Sequence, residues 1–437
     1  MKKIIALLLP NMAFIGAMLI SAGFIIAEKS PAPQSIGVVM IFLHPFLNGG
    51  LKTAFRNIYK NRYAAAMAVY YLLIVLSIWH LGNLSVYKQW VVMQLPLVLV
   101  PFGLSDEKSI SKPQRNIIFA TLIGVVTLAG IISFINYIIH FQAIQESITH
   151  SKPIPIVTGI NHIYFSVLLA FAAGILQWGL FIEKIQRPLY RKAAWATFII
   201  VVILLHTIAA RTGLFCFYAE ALTSILWLFF KSKKILTGIF IGLGLVSLAV
   251  ITVKIIPSES NRFDNTRLDL HKYESGDNIN HYSVSMRFEA LKVGWAVFMK
   301  NMINGVGPAN ITEAMDQEYT LENSDLITIN RIKPHNEFLY SLVSMGIIGF
   351  SALCFMIFFP VFNGAVFRNY LFFMFIIVCV IAFQAEYLLE RQVGITFFCL
   401  FYILLSNEQK DIKSGGTSKY AEMLQTQANF NNPANLN

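Results

Sequence analysis

The chain has 437 residues, of which 56% are apolar and only 13% charged; its net charge is +11 and its mean hydropathy +0.61. Soluble domains carry about 25% charged residues, so this chain cannot cover its apolar surface with polar side chains, and lipid must be the solvent for most of it. The basic excess lies in short loops between apolar runs, which is a topology signal and excludes a nucleic-acid groove.

In chain order, Met1-Lys2-Lys3 precedes an apolar run from Ile4 to Ala27. That run is longer than the h-region of a signal peptide and is followed by many others, so it reads as an uncleaved first helix. Eleven further runs follow: Ser35–Leu51, Ala64–His80, Trp90–Leu104, Asn116–Phe141, Ile163–Ile182, Ala193–Ala210, Gly213–Phe230, Ile235–Ile256, Phe338–Pro360, Tyr370–Gln384 and Gly394–Leu405. A spanning helix needs about 20 apolar residues. The second, fourth, eleventh and twelfth runs are short, which suits tilted, broken or re-entrant segments. The expectation is an all-α polytopic membrane protein of about twelve transmembrane helices. Its four cysteines, Cys216, Cys354, Cys379 and Cys399, all lie within apolar runs without metal-ligand spacing, so neither a disulfide nor a metal site is expected.

With the N-terminus in the cytoplasm, fifteen Lys and Arg fall in cytoplasmic loops (among them Lys52, Arg56, Lys108, Arg187 and Lys231) against five in the opposite short loops: Lys29, Lys88, Lys152, Arg211 and Arg391. The positive-inside bias therefore supports both the span count and the orientation. One large loop, residues 257–336 between spans 9 and 10, holds eleven acidic and eight basic residues and falls on the non-cytoplasmic side. Within it Ser285–Asn301 has Phe288, Leu291, Trp295 and Phe298 at helical spacing, predicting an amphipathic helix near the membrane surface. Asn304-Gly-Val-Gly-Pro308 then predicts a turn. The expected organisation is thus spans 1–9 over 1–256, the loop over 257–336, spans 10–12 over 337–405, and a disordered cytoplasmic tail over 406–437.

Ionisable residues at membrane depth are costly and mark candidate sites. Arg211 sits in a hairpin, Ala-Ala-Arg-Thr-Gly, too tight to let it move far from the outer interface. It either snorkels to lipid phosphate or grips a substrate phosphate. His335 lies where the loop meets span 10, after Pro334 and before Asn336, an N-cap candidate. The open N–H groups of that helix start favour an anion, and His335 is either a hydrogen-bonded interfacial residue, a base or a phosphate contact. Arg287 opens the amphipathic helix. Glu386, Glu390 and Arg391 form the turn before the last span, read either as a salt-bridged turn or as part of a site. His162 precedes span 6 on the same side. One topology brings these separate stretches to one membrane face, an arrangement suited to an anionic lipid head group with its tail among the helices below.

The pattern resembles the bacterial O-antigen ligase and O-antigen polymerase superfamily. The resemblance rests on Arg211-Thr-Gly, on Arg287 through Trp295 to Gly305-Val-Gly-Pro308, and on His335-Asn-Glu-Phe-Leu339 followed by Gly346-Ile-Ile-Gly349. Leu389-Glu-Arg-Gln-Val-Gly-Ile-Thr-Phe397 looks like the ending of many members. The matches run from Arg211 to about Phe401, and the first 200 residues agree only in hydropathy. What the resemblance implies is a glycosyltransferase of a bacterial inner membrane with a periplasmic active face. Its donor would be a glycan on undecaprenyl pyrophosphate and its acceptor a sugar hydroxyl of lipid A–core or of another glycan, with no metal and no other cofactor. Carried over by position, Arg211 and Arg287 would bind the pyrophosphate and His335 would act as base or phosphate contact; Asn336, Glu390, Arg391 and His162 are further substrate-binding candidates. An O-antigen or exopolysaccharide polymerase and a protein O-oligosaccharyltransferase are alternatives within this group. A polysaccharide transporter or flippase is the alternative of another class, with Glu220 in span 8 as its main midplane charge, and a scaffold or sensor is a third.

Overall fold

The computed structural model describes residues 9–48, 51–80, 82–149, 152–230, 233 and 235–407. The start of the first apolar run, Lys231, and the tail beyond residue 407 lie outside the described residues. Eighteen helices are named in chain order: α1 Met12–Gly23, α2 Ala32–Asn48, α3 Leu51–Lys60, α4 Arg62–Leu76, α5 Leu84–Met93, α6 Pro96–Leu104, α7 Lys112–Ile139, α8 Phe141–Thr149, α9 His162–Gln177, α10 Pro188–Ile208, α11 Arg211–Phe230, α12 Ile235–Ile255, α13 Pro257–Glu274, α14 Ser283–Lys300, α15 Ile311–Leu321, α16 Glu337–Phe362, α17 Tyr370–Ala385 and α18 Gln392–Asn407. Among the described residues there is no strand.

Among the described residues the apolar runs fall mainly on helix, but the helices are not twelve equal crossings. Six, among the described residues, are long and apolar enough to cross a membrane: α7, α9 with the π-helical turn Trp178–Ile182 that continues it, α10, α11, α12 and α16. Met12–Ile26, α4, α17 and α18 are shorter apolar helices. The expected span Trp90–Leu104 is two helices, α5 and α6. Pro96 opens the second and has no N–H to carry the first helix through.

Burial shows which helices face protein and which face lipid. Fifteen residues of α9, all but its first, are buried. It packs against α7, α10, α11 and α17, as expected of a helix that is apolar on all sides. By contrast α12 buries only Gly238 and Thr252 and leaves Phe240, Leu243 and Val246 exposed. An apolar helix with an apolar exterior is stable only with hydrocarbon around it.

The large loop folds on itself, and this corrects the expected packing of its amphipathic helix. Ala290, Val293, Val297 and Phe298 of α14 form a small core with Ile311, Met315 and Tyr319 of α15 and with Leu339, Tyr340 and Val343 of α16. Phe298 of the expected stripe is thus buried, whereas Phe288 and Trp295 are 41% and 53% exposed. The sequence carries apolar residues on two sides of α14, and α15 covers the side away from Phe288 and Trp295. Lys300 of α14 pairs with Glu318 of α15 at 2.6 Å.

The two glycine motifs meet each other. Helix α16 is broken at Gly346, whose φ is +62°. The break frees the carbonyls of Val343 and Ser344, which accept from the N–H groups of Val306 (2.9 Å) and Gly307 (2.8 Å). Ile347 N–H donates in turn to Met302 O at 2.8 Å. A Cβ on Gly346 would lie 2.2 Å from Ile303 O, and one on Gly305 (φ +67°) 2.4 Å from Ser344 C. Both positions therefore need a residue without a side chain. Backbone hydrogen bonds thus pin the loop to α16 two to three turns after His335.

Candidate functional site

His335 precedes the start of α16, and the residues around it fix its position. The Asn336 side chain caps that helix by accepting Leu339 N–H at 2.9 Å. Its amide Nδ2 donates to Gln384 Oε1 at 2.9 Å and to Gln384 O at 3.3 Å. Asn336 thus staples the start of α16 to the end of α17, where the chain leaves the helix at Glu386. That carboxylate is buried, with 4% of the residue exposed. It accepts the His335 Nδ1 proton, with Oε1 at 2.9 Å and Oε2 at 3.0 Å.

Arg287 reaches the same carboxylate from α14. Its Nη2 lies 3.9 Å from Glu386 Oε2 and its Nη1 donates to Ala385 O at 3.3 Å. A carboxylate only accepts, so His335 is held with its proton on Nδ1, and Nε2 is left with its lone pair free. The His335 ring also lies 5.0 Å from the Tyr387 ring. Burial first, and the Glu386 charge second, push the Tyr387 phenol up to about 12, so it stays a neutral hydrogen-bonding group.

These side chains line a cavity of about 460 Å³, with His162, Tyr164 and Arg391 on its other walls and Glu28 at its rim. Arg287, His335, Arg391 and His162, drawn from four separate stretches of sequence, are therefore brought together. Arg211 does not line this cavity. It begins α11 two residues after Ala209, which closes the hairpin in a left-handed conformation (φ +50°), and its Nη2 donates to the carbonyl of Arg262 at 3.3 Å. It remains within electrostatic reach of Arg287 and His162.

Glu390 points away from the cavity. Its carboxylate accepts from the Trp90 indole and lies 3.8 Å from Lys333 Nζ. Burial raises its pKa. It clasps the turn at 388–390 to the broken α5–α6 segment, where Gln94 also donates to Leu389 O at 2.7 Å. Asn336 likewise acts on the site by holding two helices together.

The sequence names Glu386 without revealing its partners, and it does not single out Arg262. Glu386 reads there as part of a salt-bridged turn, yet its partners come from α14 and from the segment before α16. Arg262, on α13, is one of eight basic residues in the loop, and nothing in the local sequence distinguishes it. Its Nη2 donates to Lys152 O at 3.2 Å, and it lies within electrostatic reach of both Arg211 and His162.

No curated protein matches the chain. Residues 196–354, the segment that carries Arg211, Arg287 and His335, match the family model of the O-antigen ligases, which supports the resemblance to the O-antigen ligase and polymerase superfamily.

Proposed function

We propose that this protein transfers a glycan from undecaprenyl pyrophosphate to an acceptor hydroxyl, in the manner of an O-antigen ligase, at the periplasmic face of a bacterial inner membrane. The observation that carries the reading is the His335–Glu386–Arg287 constellation in a cavity that also holds Arg391 and His162. In this reading twelve segments enter the membrane, the short ones tilted or broken. The folded loop stands outside, with the Phe288–Trp295 side of α14 against the lipid surface.

The chemistry follows from the geometry. The acceptor hydroxyl gives its proton to His335 Nε2 as its oxygen bonds to the anomeric carbon. The bond from that carbon to the diphosphate oxygen breaks, and its electron pair leaves with the diphosphate. The imidazolium that forms is stabilised by Glu386. Negative charge grows on the leaving oxygen, so Arg287 and Arg211 hold the transition state more tightly than the ground state.

The test is reconstitution of the purified chain with lipid-linked glycan and candidate acceptors, with and without a chelator. His335→Ala should cost about 10²–10⁴-fold in rate. Arg287→Ala should cost roughly 3–4 kcal/mol of transition-state stabilisation, or a few hundredfold. Transfer at the wild-type rate by both variants would remove the assignment. So would glycan trapped on the cytoplasmic side in cells expressing them, which is the outcome a flippase predicts.

A further inference from the structure

We propose that Arg262 is a third arginine of the substrate-anion site, set beside Arg211 to hold a phosphoryl group, so that the site takes a diphosphate in preference to a monophosphate. The proposal rests on the glycan-transfer reading above and adds to it a residue and a selectivity.

Three guanidinium groups converge from three elements: Arg211 from α11, Arg262 from α13 and Arg287 from α14. Arg211 donates to the backbone carbonyl of Arg262, so the two residues lie side by side. All three are within electrostatic reach of His162, a wall of the cavity. Cations packed this closely repel one another, and in a poorly hydrated site the repulsion is large.

The carboxylates nearby offset it only in part, through Asp269 acting on Arg211. Glu386 serves Arg287 and His335 together. Asp269, the acidic group in reach of Arg211, is tied at Oδ2 to Val284 N–H at 2.8 Å. Glu259, one turn before Arg262, is turned to His206 at 3.1 Å. Among the described residues no carboxylate lies within ion-pair distance of Arg262; it donates to the Lys152 carbonyl through Nη2, and its buried Nε has no hydrogen-bond partner.

Burial, and secondly Arg211, pull Arg262 down to about 10, so it is still charged at neutral pH. A charged donor held in this way, with a free N–H and a second cation beside it, is satisfied by an oxyanion. Arg287 and Arg391 line the cavity with His162, and the Arg211–Arg262 pair, outside that lining, is also within electrostatic reach of His162; two such cationic loci match two linked phosphoryl groups better than one.

The experiment measures binding of inorganic pyrophosphate and of inorganic phosphate to the full chain in lipid nanodiscs, by calorimetry, for wild type, Arg262→Gln, Arg262→Lys and Arg287→Gln. Wild type should prefer pyrophosphate. Arg262→Gln should weaken pyrophosphate about tenfold and phosphate much less, and Arg262→Lys should recover part of the loss because the charge is kept. If Arg262→Gln binds pyrophosphate like wild type while Arg287→Gln loses it, the role of Arg262 is overturned and the diphosphate reading stands. If wild type itself shows no preference for pyrophosphate, both fall. Unliganded melting temperatures check that each variant is folded. Should Arg262→Gln fail to fold, Arg262→Lys decides: a partial loss confined to pyrophosphate supports the proposal, and binding of both anions like wild type overturns it.

Discussion

At the residue scale the site depends on which atom of His335 is left free. Glu386 accepts from Nδ1, so in the proposed reaction the basic nitrogen is Nε2, and the carboxylate acts through the imidazole. Glu386→Gln keeps the shape and a hydrogen-bond acceptor but removes the charge that stabilises the imidazolium, and it allows the side chain to flip and present its NH₂ to the ring. Transfer should fall mainly in kcat, by less than the full worth of a general base, about 10²–10⁴-fold, with KM for the lipid donor little changed. A loss confined to KM would instead place Glu386 in substrate binding. The sequence brings the cationic residues to one face because hydropathy fixes where each span ends, and Arg211, His335 and Arg391 all flank a span end. It does not reveal that Glu386 rather than Glu390 serves His335. The two are four residues apart, but the intervening turn at 388–390 is a single 3₁₀ turn that sends one carboxylate to the cavity and the other to Trp90. Nor does it single out Arg262, since α13 is charged along most of its length and only its packing beneath the Arg211 hairpin selects one arginine.

At the element scale the Gly305-Val-Gly307 turn and the break at Gly346 act as one joint. Neither motif has a meaning alone: a glycine pair after a helix reads as a turn, and a glycine in an apolar run reads as close packing. The structure shows each supplying what the other lacks, N–H donors from the turn and freed carbonyls from the broken helix. Arg287 reaches Glu386, the partner of His335, from a loop that this joint holds down. Gly346→Ala places a Cβ 2.2 Å from the carbonyl oxygen of Ile303 in a conformation that costs a side-chain-bearing residue about 1–3 kcal/mol before any clash. It should lower the melting temperature and the transfer rate together. Gly244→Ala on α12, where nothing lies within 4 Å of the new methyl, should leave both unchanged. If Gly346→Ala were as neutral as Gly244→Ala, the joint would be irrelevant to the site. The folding of the loop around a core of its own was only half legible in the same way: the helical period of α14 is plain in the sequence, but the partner of each side is decided by α15 and the top of α16.

At the scale of the whole molecule the charge asymmetry and the position of the cavity make one claim. In the proposed topology basic residues crowd the short loops at one end of the bundle, with the cavity and the folded loop at the other, and the positive-inside rule would assign the first end to the cytoplasm. The four native cysteines suit a direct test, because Cys216, Cys379 and Cys399 are buried and Cys354 lies within α16. A membrane-impermeant maleimide should therefore find little to label in the wild-type chain. Asp277→Cys, in the exposed turn after α13, should be labelled from outside once the outer membrane is opened. Ser109→Cys, between α6 and α7 beside Lys108 and Lys112, should be labelled only after the inner membrane is breached. The opposite pattern would put the cavity in the cytoplasm, where a glycan already displayed outside cannot reach His335. Labelling of both positions from outside would mean that an odd number of crossings had been misassigned between residues 109 and 277, and that the α7–α12 segment does not thread the bilayer as its hydropathy requires.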